Sequence, residues 1–436
     1  MLASSKSSNL HKILYALPAF VLALPTIPVF ILLPTFYAES LGLGLATVGG
    51  AFFMLRLLDV ISDPLLGWIS DAMPVTLGKR KLPMAVGGLI GAPSIIMFFS
   101  PNTDITVWYL LIWGGLLYVS WTAIQIPYIT WAVELDSDYT ERSKLNGIRE
   151  GFGLLGIMAI GAAGYFLANI SESERFKIIA WGTVCIGILI FFISLYLVPQ
   201  GRVSAEHRSK SFTLPKNNKL FLRVLFAWFI NGFANGLPAV CLPLFLNYII
   251  GANEEDKASM LLIYFSFAVI GIMGWVKLAA LISKHRAWCI SMVSACIVFL
   301  FVPFLGSGDI FAFGVICALT GLTLGSDLAL PPAIQGDCAD WDQLRFNKNR
   351  TATLFSYWSM ATKLALGLAI GTAFPTLAYF GLSEENSNIP EKALTALVVI
   401  YAVIPIVLKL ISVLVMWNFP ITQKRHKAIQ SRLERN

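Results

Sequence analysis

Asp59 and Asp63 stand four residues apart in Arg56-Leu57-Leu58-Asp59-Val60-Ile61-Ser62-Asp63-Pro64, inside an apolar run from near Leu45 to about Asp71. A helix through this run is long enough to cross a hydrocarbon core of roughly 30 Å. The four-residue spacing puts both carboxylates on one helix face, and Arg56, three residues before Asp59, joins it. Ionised groups at membrane depth are costly unless they face protein, water or an ion. Two of them stacked on one face read as a cation site. The alternative is an ion pair with Arg56 and a neighbouring helix that only holds a bundle together.

Other polar residues stand in apolar surroundings. Lys363, in Trp358-Ser359-Met360-Ala361-Thr362-Lys363, lies far from either end of its run. It should face Asp59, Asp63 or a wet cavity, as a coupling residue or as half of a structural salt bridge. Asp327, in Leu324-Gly325-Ser326-Asp327-Leu328, is a candidate for contact with an ion or solute, with Lys277 as a candidate partner. Trp121, Gln125, Tyr128 and Trp131 recur at helical spacing around Pro127. Their flat faces and hydrogen-bonding groups suit a sugar ring, a lipid headgroup or ordinary packing. Arg149 and Glu150 open another apolar run, where Arg149 either contacts solute, closes a gate or anchors the helix at an interface.

The elements that position these groups follow from composition. Of 436 residues, 57% are hydrophobic and 13% charged, with a mean hydropathy of +0.72. Too few charges remain to cover a soluble protein of this size, and the long continuous runs exclude a β-barrel. Twelve helical spans are expected, over roughly 13–38, 45–70, 82–100, 106–134, 147–170, 176–199, 220–250, 260–283, 287–305, 310–335, 351–379 and 393–418. The first reads as a span and not as a cleaved signal, because no small-residue cleavage site ends it. Pro18, Pro25, Pro28 and Pro34 predict that it is bent or locally unwound. Small residues from Gly151 to Gly164 predict close packing of the fifth span.

Lys79, Arg80, Arg142, Lys144, Lys284, Arg286 and the basic tail fall on one set of loops, and acids such as Glu172, Glu174 and Glu254 on the other. This asymmetry puts both termini and the middle loop, 201–219, in the cytoplasm. The expected organisation is a six-helix bundle over 1–200, that loop, a second six-helix bundle over 220–420, and a basic tail over 421–436. Two such bundles suit a transporter with a central path. The net charge of +7 lies in short loops and does not indicate nucleic-acid binding. Six cysteines lack metal-type spacing, the four histidines stand at membrane edges, and neither a phosphate loop nor a hydrolase constellation is present. No enzymatic activity or cofactor is expected, and an ion gradient is the simplest energy source.

Arg56 through Trp68, continuing past Asp71 to Gly78-Lys79-Arg80, resembles the glycoside–pentoside–hexuronide:cation symporter family, the melibiose-permease-like branch of the major facilitator superfamily. Gln125-Ile126-Pro127-Tyr128, Glu134-Leu135, Glu141-Arg142, Arg149-Glu150-Gly151-Phe152, Asp337-Cys338-Ala339-Asp340-Trp341 and Trp358 through Lys363 extend the resemblance to the eleventh span. It implies an all-α major facilitator fold and a cation site at Asp59, Ser62 and Asp63, with Arg56 and Lys363 coupling it to transport. It further implies solute contacts among Gln125, Tyr128, Arg149, Trp358 and Lys363, which Trp121 and Asp327 join as candidates on the reading of their own surroundings. Cytoplasmic gate or motif positions would be Asp71, Lys79, Arg80, Glu134, Arg142, Asp337 and Asp340. The chain departs from that pattern where sugar-binding acids of the branch would fall, near Ala19 and at Gln125. Losing both weakens recognition of sugar hydroxyls and gives an anionic or amphipathic solute, such as a lysophospholipid, real weight. A non-transporting receptor or assembly protein is the third class. The expectation is a monomeric symporter in a bacterial inner membrane, among membrane lipids. It moves a sugar-like or anionic organic solute with sodium, or alternatively with a proton.

Overall fold

The computed structural model describes residues 9–72, 80–102, 105–135, 139–200, 217–346, 351–382 and 389–433, and every regular element among them is helical. The chain divides into two compact units, Met1–His207 and Arg208–Asn436. Lys79 and the stretch 201–216 of the expected middle loop lie outside the described residues, as do the side chains of Asp71, Glu134 and Arg142. Eleven helical stretches among the described residues are long and apolar enough to cross a membrane.

The first unit contains α1 (Asn9–Ala23), α2 (Leu33–Ala38), α3 (Leu45–Ala72), α4 (Lys81–Phe99), α5 (Val107–Leu135), α6 (Tyr139–Phe166) and α7 (Glu172–Leu197). α6 is the long helix outside the eleven, because its first half carries the charges from Glu141 to Glu150. The proline-rich first span is interrupted as its sequence predicts. α1 stops at Ala23, Pro28–Leu32 forms a π-helical turn, and α2 resumes with Pro34 in its first turn. Each proline removes a backbone donor, so the regular bonding ladder cannot run through. α1 packs on α6 and α7, α4 on α5 and α7, and α3 on α5. Among the small residues of α6, Gly156 is pressed against α1, where a Cβ would collide with the Phe20 carbonyl. Gly151 and Gly153 have nothing within 4 Å of that position.

The second unit contains α8 (Lys219–Phe245), α9 (Glu254–Ile282), α10 (Lys284–Phe299), α11 (Ile310–Phe346), α12 (Thr351–Tyr379), α13 (Glu391–Val398), α14 (Ile404–Met416) and α15 (Gln423–Leu433). π-helical turns at Leu246–Ile250 and Val399–Val403 prolong α8 and join α13 to α14. α9 packs on α11, α8 on α12 and α14, and α10 on α11 and α14. Phe221, Trp288, Leu330, Leu354 and Met416 belong to one core cluster of this unit. The acids read as loop charges turn out to begin helices. Ser171 caps α7, with Glu172 and Glu174 in its first turn, and Asn253 and Asp256 form a reciprocal capping box at α9. Acids there also offset the positive end of the helix dipole.

The end of α11 differs from expectation. α11 continues to Phe346 instead of ending at 335, so Asp337 and Asp340 lie on a helix. The stretch after Ala333 has no proline or glycine pair to stop it, and its polar residues find partners: Lys284 bonds Asp337 at 2.6 Å, and His426 approaches Asp337 at 3.3 Å and Asp340 at 2.9 Å. Those His426 contacts dock the basic tail, which folds as α15.

Candidate functional site

The Asp59–Asp63 face of α3 turns toward α5. Gly114 and Gly115 allow the approach, since a Cβ on Gly114 would stand 2.6 Å from a methyl of Leu55, and one on Gly115 3.3 Å from a methyl of Leu58. Two turns further along α5, the Thr122 hydroxyl lies 3.0 Å from Oδ1 of Asp59 and 3.1 Å from Oδ1 of Asp63. The single Thr122 hydroxyl thus bridges the two carboxylates, one proton standing between two acceptors. Arg56 adds positive charge, with Nη1 at 3.6 Å from Oδ2 of Asp59. Formally, Arg56, Asp59 and Asp63 themselves sum to one negative charge. Carboxylate and hydroxyl oxygens are the hard donors a hard cation favours.

The interrupted first span shapes the surroundings. Its π-helical turn brings Phe30 over the Arg56 guanidinium at 4.0 Å from the ring centre, and Tyr118 of α5 covers it at 4.9 Å. Cation–π contacts of this kind hold a guanidinium where water is scarce. The Tyr118 hydroxyl is buried and makes no hydrogen bond among the described residues, which leaves a polar atom available beside Arg56. Ser62 donates to the Asp59 backbone carbonyl at 3.0 Å, so only its lone pairs remain for an ion. Phe30, Tyr118 and Thr122 are absent from the sequence-based expectation. Thr122 could have been found, since it stands three residues before Gln125 on a span already read as lining a path.

Thr122→Val keeps the shape and deletes the hydroxyl. Its expected effect is roughly tenfold weaker cation activation, because hydrogen bonds to charged groups contribute about 1.5–3 kcal/mol. The sodium and proton dependence of uptake measures it; an unchanged dependence assigns Thr122 to packing.

The aromatic candidates separate. Tyr128 is buried and exchanges hydrogen bonds with Tyr15: each hydroxyl donates to the other residue's carbonyl, at 2.8 and 2.9 Å. Their rings stack at 4.8 Å, so Tyr128 clamps α5 to α1. Trp131 donates to the Pro199 carbonyl at 3.1 Å. Trp121 instead lines a cavity of about 590 Å³ among α1, α4, α5 and α7, whose walls include Leu22, Leu89, Ile124, Ile188 and Phe191. Gln125 is half-buried. Arg149 pairs with exposed Glu150 at 2.5 Å and also meets the Tyr15 hydroxyl. Arg80 is buried at the start of α4.

In the second unit, Asp327 lies in a buried polar cluster. It accepts from Trp288 at 2.6 Å and from Asn235 at 2.7 Å, and Lys409 of α14 stands 3.8 Å away. This corrects the pairing with Lys277, which is exposed on α9. Lys409 was legible as a lone charge in the twelfth apolar run, and Asn231 and Asn235 as a four-residue pair on α8. Trp358 is buried and stacked on Trp228 at 4.5 Å, and Trp228 donates to Thr362 at 2.7 Å. That stack fixes the turn of α12 that carries half-buried Lys363.

A family model described as MFS/sugar transport protein matches residues 14–423. A protein of Escherichia coli named as glycoside/cation symporter YagG is 24% identical, over 92% of this chain and 90% of its own. The human sodium-dependent lysophosphatidylcholine symporter 1 is 22% identical, over 88% of this chain and 78% of its own. Among solved structures, a D-xylose-proton symporter superposes with a TM-score of 0.61 at 14% identity, covering 95% of this chain and 97% of that one. The nucleoside transporter NupG superposes with a TM-score of 0.65 at 15% identity, covering 93% and 100%.

Proposed function

The chain belongs to the MFS/sugar transport protein family, as a melibiose-permease-like membrane symporter and not an enzyme, and from that premise we propose that it carries a sugar-like solute with sodium. Glycosides, uronides and sulfonated sugars are the solute classes. The observation that carries the reading is the convergence of Asp59, Asp63 and Thr122 on one point between α3 and α5. Cation entry there would neutralise the two carboxylates, and solute and cation would each raise the other's affinity by reciprocal linkage. Lys363 is proposed as the coupling cation of the second unit, on the resemblance of Trp358 through Lys363. Cytoplasmic termini are supported by the distribution of basic residues, and a bacterial inner membrane by the similarity to the Escherichia coli protein.

The test is uptake by sealed vesicles of a panel of labelled glycosides, uronides and sulfonated sugars, with imposed sodium or proton gradients. Cation-driven accumulation without ATP is the expected result; uptake that needs ATP and ignores both gradients overturns the reading. If collapsing the proton gradient abolishes uptake while sodium removal does not, the coupling ion is the proton.

A second reading is favoured by the cavity around Trp121. Its apolar walls suit a hydrocarbon tail, and some relatives are named lysophosphatidylcholine symporters. A Cβ on Gly88, which lines the cavity, meets nothing within 4 Å. Gly88→Phe should therefore fill the space without disturbing the backbone. Under this reading it lowers lysophosphatidylcholine uptake by about tenfold, near 1.4 kcal/mol of lost tail burial. Absence of lysolipid uptake by the unmodified protein removes the second reading outright.

A further inference from the structure

We propose that Asp327, Asn231 and Asn235 form an oxygen cage for a monovalent cation of ammonium size, and that Lys409 fills it with a cation tethered to α14. The distances separate this from an ordinary ion pair. The Lys409 ammonium donates to Oδ1 of Asn235 at 2.6 Å and to Oδ1 of Asn231 at 3.0 Å, whereas the nearest Asp327 oxygen is 3.8 Å away. Two neutral amide oxygens thus hold the cation directly, and the carboxylate provides the counter-charge from just outside hydrogen-bonding range.

Each cage member is held for this task. The Asn235 amide is oriented from both ends, its oxygen on the ammonium and its nitrogen donating to Asp327 at 2.7 Å. Trp288 fixes the other carboxylate oxygen at 2.6 Å. Asn231 is fully buried, yet its Nδ2 has no acceptor among the described residues, so its oxygen is the atom the site uses. A buried amide with an unsatisfied donor is costly, and packing alone would favour a leucine there. The four helices involved, α8, α10, α11 and α14, pack on one another, so the oxygens are preorganised and not gathered by the lysine. For the cation-coupled cycle proposed above, the consequence is that this second intramembrane acid takes no diffusible ion, leaving Asp59 and Asp63 as the carboxylates that do.

Lys409→Ala removes the atoms of n-propylammonium beyond Cβ, so the amine can replace them. The experiment follows thermal unfolding of the purified protein with n-propylammonium, ammonium or tetramethylammonium chloride at equal ionic strength. Lys409→Ala should unfold at a lower temperature than the unmodified protein. n-Propylammonium should restore roughly half or more of the difference through binding to the folded state, and ammonium should act in the same direction. Tetramethylammonium, which has no N–H donor and is too bulky, should restore none. The unmodified protein should respond to no amine. Asp327→Asn with Lys409→Ala should be more stable than Lys409→Ala alone and indifferent to amines. Should Lys409→Ala be too unstable to purify, its folded yield with and without n-propylammonium, together with the yield of the double variant, decides the question in the same way. A lysine variant that matches the unmodified protein, ignores amines, or gains nothing from Asp327→Asn overturns the proposal. None of these readouts involves uptake, so they hold whichever solute and coupling ion the transport assays identify.

Discussion

Asp59→Asn and Asp63→Asn are each expected to abolish cation-driven accumulation while the protein still folds and exchanges solute. Asparagine nearly preserves the volume of aspartate and keeps an oxygen that can accept from Thr122, which now bonds both carboxylates near 3 Å. What disappears is one negative charge. With Arg56 retained, the three-residue sum moves from minus one to zero, and a monovalent cation loses its electrostatic reason to bind. Linkage then requires that the cation lose its effect on solute affinity as well. The coupling free energy at stake is about 1–3 kcal/mol, or roughly 5–150-fold in affinity. Solute affinity with and without sodium, exchange across vesicles, and gradient-driven uptake, measured on the same purified variants, separate coupling from binding. Normal accumulation and an undiminished sodium effect in both variants would make these acids structural.

Gly325→Val is expected to lose nearly all folded protein, although the residue touches no candidate ligand. α11 meets α9 through Gly321 and Gly325 of its own and Gly271 of the partner helix. A Cβ on Gly325 would stand 2.5 Å from both the Ala268 carbonyl oxygen and the Ile272 nitrogen. Backbone cannot yield as a side-chain tip can, so the helices would have to separate along the seam. Membrane helices have no hydrophobic drive to compensate, since lipid tails are as apolar as their own side chains, and association rests on this close packing. Overpacking costs about 1–3 kcal/mol where side chains can give; a backbone collision at a helix seam should exceed that. Gly274→Ala, three residues from Gly271, is the control, because a Cβ there meets nothing within 4 Å. Monodisperse yield and thermal unfolding of the two variants decide the matter. Equal losses would show that the collision at the seam is not the cause, since alanine at 274 meets open space and favours the helix.

The spans and the carboxylate face were legible without any structure because both depend on local quantities. Hydropathy over some twenty residues decides whether a segment can enter a bilayer, and four-residue spacing decides that Asp59 and Asp63 share a side. The same locality let Pro25, Pro28 and Pro34 announce a broken first span. Partners are a different matter, because which side chains meet depends on where two helix surfaces touch. Thr122 reaches the carboxylates only because Gly114 and Gly115 admit α3 two turns away, and Phe30 covers Arg56 only because the π-helical turn rotates it there. Asp327 invited pairing with Lys277, a lysine late in the eighth span, yet α9 turns that lysine outward and α14 supplies Lys409 from 82 positions further along the chain. Likewise Asp337 and Asp340, expected as cytoplasmic motif positions beyond a span ending at 335, lie on the extended α11, where Lys284 and His426 are their partners. Membrane insertion is settled by each segment's own composition. The ligand sets are settled by contacts between segments, and those exist only once the helices have packed.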